Sequence, residues 1–178
     1  MNNSRVSQAE GGVPVASENI YSLRDGLIAG AVAGLAMTVT MAIWGAITGN
    51  GIWYPVNLIA ATVMTSLQTA PIEELRTFMP VAALVGTLIH FVISVALGLV
   101  FDLLLPTLPG HPMVWALIIG PLLWIAAEFA ILPILNERMG EAIAPQTFIV
   151  AHIIYSVVMG YIILRSQRLE PSSTGINA

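Results

Sequence analysis

Residues 81–105 read VAALVGTLIHFVISVALGLVFDLLL, and this stretch decides the fold. Asp102 is its only residue among Asp, Glu, Lys and Arg. At 1.5 Å per residue a helix here is about 37 Å long, enough to cross a hydrocarbon core ~30 Å thick. Three further stretches have the same character, at residues 26–47, 113–135 and 146–164. They predict an all-α, four-helix transmembrane bundle over residues 24–165, between a polar N-terminal tail (1–23) and a polar C-terminal tail (166–178).

Composition agrees with these segments. Of 178 residues, 57% are hydrophobic and 9% charged, and the mean hydropathy is +0.85. Soluble domains carry roughly 25% charged residues, so most of this surface is expected to face membrane lipids. The net charge of −4 is spread over loops and tails, leaving no basic stripe for nucleic acid. Cysteine is absent, which excludes disulfides, thiolate metal sites, iron–sulfur clusters and cysteine nucleophiles. No catalytic triad can be assembled on spacing. The first twenty residues lack the apolar core of a secretory signal, so the first span is expected to act as an uncleaved anchor. Polar tails of this kind order against a partner rather than alone.

Span one opens with Gly26, Gly30 and Gly34, glycines four apart that let a neighbouring backbone come close. Thr38 extends the stripe. Residues 50–79 form a long connection in which Trp53-Tyr54-Pro55 reads as an aromatic anchor at the headgroups. The apolar run from Asn57 to Leu67 is too short and too diluted to span, and suits a re-entrant or interfacial helix between spans one and two. Pro71 closes it, and Glu73, Glu74 and Arg76 follow on a short amphipathic piece. The connection is expected to cap one membrane face. Spans two and three are joined by a tight turn at Pro106–Gly110, and spans three and four by a polar loop over 136–145. All six basic residues are arginines. Arg5 and Arg24 precede span one and Arg165 and Arg168 follow span four, which by the positive-inside rule favours cytoplasmic termini in a cell inner membrane.

One motif recurs. His-x3-Ser-x3-Gly occurs as His90, Ser94 and Gly98 in LIHFVISVALGLVF, and as His152, Ser156 and Gly160 in VAHIIYSVVMGYII. A spacing of four places each trio on one helical stripe. Matching Gly26, Gly30 and Gly34 with Ala116, Gly120 and Trp124 sets Thr38 opposite Glu128, and the chain then reads as two pseudo-repeated helical hairpins. Each hairpin holds an even number of spans, so the axis relating them would run along the membrane normal.

His90, Glu128 and His152 are the residues titrating near neutrality that lie well inside the spans. Counted from the same membrane face, at Pro80, Asn136 and Gln146, they lie roughly 15, 12 and 9 Å deep. An ionisable group at such depth is a functional-site hypothesis by default. Four readings follow. The histidines could tie helices together through carbonyls or hydroxyls, with Glu128 uncharged or paired to a histidine. His90 and His152 on diagonal helices could bind haem b. His90, His152 and Glu128 could hold a metal such as non-haem iron, manganese or zinc. The three could relay protons or ions. Asp102 lies on the His90 stripe and is expected at the solvated interface, as is His111 in its turn.

The stretches GTLIHFVISVALGLVFDLLLPTLPG (86–110), GPLLWIAAEFAILPIL (120–135) and AHIIYSVVMGY (151–161) resemble small bacterial four-span membrane proteins grouped as a domain of unknown function. The resemblance spans about Leu23 to Leu164. It implies a four-span fold with a histidine, a small residue and a glycine at fours in both even spans. Ser94 and Ser156 stand where glycine is expected, which tightens the space beside each imidazole. The combined expectation is an accessory integral subunit of a larger, energy-transducing (electron-transport) membrane complex, without catalysis of its own. The alternative is a small oligomeric ion-coupled transporter or channel.

Overall fold

The computed structural model describes residues 23–169, with side chains as far as residue 166. Both polar tails lie outside the described residues, apart from the last residue of the N-terminal tail, Leu23, and the start of the C-terminal one. Every regular element in that range is helical. Span one is α1 (Leu23–Ile47), followed by the short α2 (Tyr54–Ala60) and α3 (Ile72–Leu75). Span two is α4 (Pro80–Leu104), and span three runs as α5 (Pro112–Ala126), a π-helical turn (Ala127–Ile131) and α6 (Leu132–Leu135). Then come α7 (Glu137–Ala142) and span four, α8 (Pro145–Leu169). Four helices are thus long and apolar enough to cross a membrane.

Local chemistry explains where the spans begin and end. Pro80, Pro112 and Pro145 open α4, α5 and α8, where a missing N–H removes no helical bond. His111 caps α5, its Nδ1 accepting from the Met113 N–H at 3.2 Å. It is exposed, as expected. After α1, Gly49 takes φ of +74°, a left-handed residue that stops the helix. Pro133 offers no N–H to the Phe129 carbonyl four residues earlier, and the π-helical turn lies on that break.

The spans form an open ring. α1 packs against both α4 and α8, and α8 packs against α5. Between α4 and α5 there is no comparable interface. Small residues allow the closest approaches: a Cβ added at Gly98 would lie 2.5 Å from the Gly26 carbonyl oxygen and the Gly30 Cα. On the other hairpin, one added at Gly160 would lie 2.6 Å from the Ala116 Cβ.

The two connections at one end of the ring cap it together. α2 lies along α4, and its Val56 carbonyl sits against Gly86. Two buried asparagines hold the cap. The Asn57 amide donates to the Leu75 and Thr77 carbonyls, both at 2.9 Å. The Asn136 amide donates to the Leu58 carbonyl at 2.7 Å and to Thr62 Oγ1 at 3.0 Å, while its Oδ1 accepts from the Met139 N–H at 3.1 Å. Each such bond is worth about 1 kcal/mol net, but leaving its buried partner unsatisfied costs more. Beneath them Leu58, Leu67, Leu75, Phe148 and Met41 form one apolar core, and Phe101, Tyr155, Met159 and Ile163 form another between the spans.

Candidate functional site

The four-residue spacing brings His90 and Ser94 onto the α4 face that meets α1. There the His90 Nε2 lies 3.0 Å from the Gly34 carbonyl oxygen. That carbonyl cannot donate, so Nε2 carries the proton, and the same oxygen accepts from Thr38 Oγ1 at 2.9 Å. Gly34 is required here: a Cβ on it would lie 2.6 Å from Ser94 Oγ and 3.8 Å from the His90 ring. His90 therefore ties span two to span one.

His152 makes a different bond. Its Nδ1 lies 2.8 Å from the Phe148 carbonyl of its own helix, which fixes the proton on Nδ1. The Phe148 ring meets it edge-on, with centroids 4.5 Å apart. Across from it, Gly120 presses on Ser156 Oγ and on the His152 backbone. α4 and α8 flank α1 without packing broadly on one another, so the histidines stand on helices placed diagonally in the ring.

Tyr155 fills the diagonal. This residue is 2% exposed, and its hydroxyl donates to the Ser94 carbonyl of α4 at 2.6 Å. Its hydroxyl thus bridges the two helices that carry the histidines. His90 Nε2 is also committed to Gly34, and Gly34 and Gly120 lie directly on Ser94 and Ser156. As placed, the protonated His90 Nε2 is not free to ligate a haem iron.

Glu128 stands apart from the histidines. Its Oε2 is buried and has no hydrogen-bond partner among the described residues. The three partners its depth suggested, Thr38, His90 and His152, each bond a backbone carbonyl instead. The π-helical turn that carries Glu128 displaces it from the straight-helix stripe assumed in the depth count. No group of three His, Cys, Asp or Glu side chains among the described residues is close enough to hold a metal ion. The Trp124 Nε1, one turn before Glu128, is likewise buried without a partner.

Asp102 departs from its expected solvated place. It is 1% exposed, against Gly26 of α1, and its Oδ1 has no hydrogen-bond partner among the described residues. The glycine stripe that lets α1 approach α4 also covers this carboxyl. The acceptor of the Tyr155 hydroxyl, a carbonyl on another span, has no local signature in the sequence.

No family model matches the chain, and no curated protein or solved structure matches it either.

Proposed function

We propose that this protein is an accessory integral subunit of a larger membrane complex, in which a helix of another chain lies along the groove between spans two and three. The carrying observation is the lopsided ring. Span three is the least covered, with 11% of its apolar stretch buried against 44% for span four. Its open side and α4 frame an apolar cavity of about 210 Å3, lined by Leu97, Val100, Leu104, Ile119, Leu122 and Met159. α1, by contrast, has a helix on each flank. Helices in lipid associate through such shape matching.

Further features support this reading. The Gly34–Ser94 and Gly120–Ser156 contacts match one hairpin to the other, as a repeat would, though one turn away from the alignment that pairs Gly30 with Gly120. Under such a repeat the α1–α8 interface has its counterpart at α4–α5, which is the open groove. Val56 reaches Gly86, about 9 Å along the helix from Pro80, which supports a re-entrant α2 closing the capped half of the same gap. The arginine count favours cytoplasmic termini in an inner membrane. An energy-transducing setting and kinship with bacterial four-span proteins are part of the proposal and rest on sequence alone.

Native mass measurement of the full-length protein, extracted with its lipids from its own membrane, tests this. The expected particle contains a second, different chain in fixed stoichiometry. One chain with lipid alone would overturn the reading, and a homo-oligomer would favour the transporter alternative.

A further inference from the structure

Two arginines 62 positions apart in the sequence, Arg76 and Arg138, line one half-open cavity of about 360 Å3 between the capping connections. Asn50, Tyr54 and Glu141 line it with them. Arg76 is held in place, its Nη2 donating to Asn50 Oδ1 at 2.8 Å, which leaves its other N–H groups open. Arg138 has no hydrogen bond or ion pair among the described residues, and its Nε is sealed from water. Tyr54 is 4% exposed, stacked beside Trp44 with centroids 6.5 Å apart, and its hydroxyl has no partner either. A guanidinium N–H sealed from water without a partner, as at Arg138 Nε, is costly unless something else satisfies the group.

We propose that this cavity binds the phosphate group of a small ligand or lipid headgroup, with Arg76, Arg138 and Tyr54 as donors. The planar guanidinium fork matches phosphate oxygens, and charge-assisted bonds of this type are among the strongest available. Glu141 sets the ligand's other end. The two guanidinium groups can face a phosphate while the Glu141 carboxylate takes an ammonium or hydroxyl donor, which suits a phosphate bearing such a group, as in phosphoethanolamine. The volume lies at the small end of ligand sites, roughly 300–1,000 Å3. Both arginines belong to the capped end of the bundle, so the site opens there, away from the span-two/span-three groove and independent of any partner helix.

The test uses the full-length protein in a phosphate-free sugar detergent. Inorganic phosphate and phosphoethanolamine are titrated while tryptophan fluorescence, which Trp44 beside Tyr54 should report, and calorimetry are followed. A parallel arm offers short-chain phosphatidylethanolamine in native mass spectrometry. Saturable binding is expected, weakened about tenfold or more by R138Q and by R76Q, and several-fold by Y54F. Binding of the soluble phosphates identifies a free ligand; retention of the lipid alone identifies a headgroup. R138K keeps the charge and loses the fork, so it should bind more weakly than wild type even if R138Q fails to fold. Absence of binding in both arms, or affinity unchanged in all these variants, would overturn the assignment.

Discussion

Gly98→Ala is the sharpest probe of the packing. The added methyl would lie 2.5 Å from both the Gly26 carbonyl oxygen and the Gly30 Cα, backbone atoms of α1 that cannot rotate away. Ordinary contact needs about 3.4 Å, so α1 and α4 must separate locally by about 0.9 Å. Dispersion contacts along the seam fall off steeply over such a gap. The His90–Gly34 bond, eight residues from Gly98 along α4 and four from Gly30 along α1, would lengthen with them. Overpacking of this kind costs about 1–3 kcal/mol, which shifts the unfolding equilibrium roughly 5- to 150-fold. Reversible unfolding in mixed micelles by added sodium dodecyl sulfate, followed by tryptophan fluorescence, measures it. Gly140→Ala is the control, because its new Cβ would lie 3.8 Å from Leu132, an ordinary contact. If both variants unfold at the wild-type midpoint, the proposed α1–α4 approach is wrong.

Other expectations follow from the same contacts. Tyr155→Phe removes the only hydroxyl bond between diagonal spans among the described residues and should cost about 0.6–2 kcal/mol in the same assay; no change would remove the Ser94 contact from the account. His90→Gln should loosen the bundle by a similar amount, and reduced protein should show no haem absorption; a Soret band lost in either His90→Gln or His152→Gln would refute the helix-tie reading. Glu128→Leu should be neutral or stabilising, because it removes a buried oxygen with no partner; destabilisation beyond about 1 kcal/mol would reveal a bond the structure does not contain.

The spans were legible because a helix in lipid must satisfy its own backbone and bury few charges, and hydropathy records both. The Gly26–Gly30–Gly34 stripe likewise announced a close neighbour, and the structure places α4 there. Contacts between distant positions left no local trace. Asn57 and Asn136 read as polar dilution and a loop edge, yet each is fully buried and pins the cap. Pro133 was visible in the sequence, but its consequence was a π-helical turn that takes Glu128 off the expected stripe. Trp124 was matched with Gly34, whereas it is Gly120 that meets Ser156 as Gly34 meets Ser94, one turn away from that alignment. Asp102 looked interfacial by depth, and only the packing of Gly26 covers it. Arg76 and Arg138 meet through the fold of two separate connections, which no local pattern encodes.

The central claim, a partner helix along the groove between spans two and three, is most directly tested by site-specific cross-linking in the protein's own membrane. The chain has no cysteine, so single substitutions give unambiguous attachment points. Leu122→Cys and Val100→Cys lie in the groove, while Leu35→Cys, at 64% exposed on span one, reports the lipid face elsewhere. Short thiol-anchored photo-cross-linkers at the two groove positions should give one adduct, to the same foreign chain and in high yield, while the Leu35 position gives lipid. Groove positions that label only lipid, in a particle of one protein chain, would contradict the account.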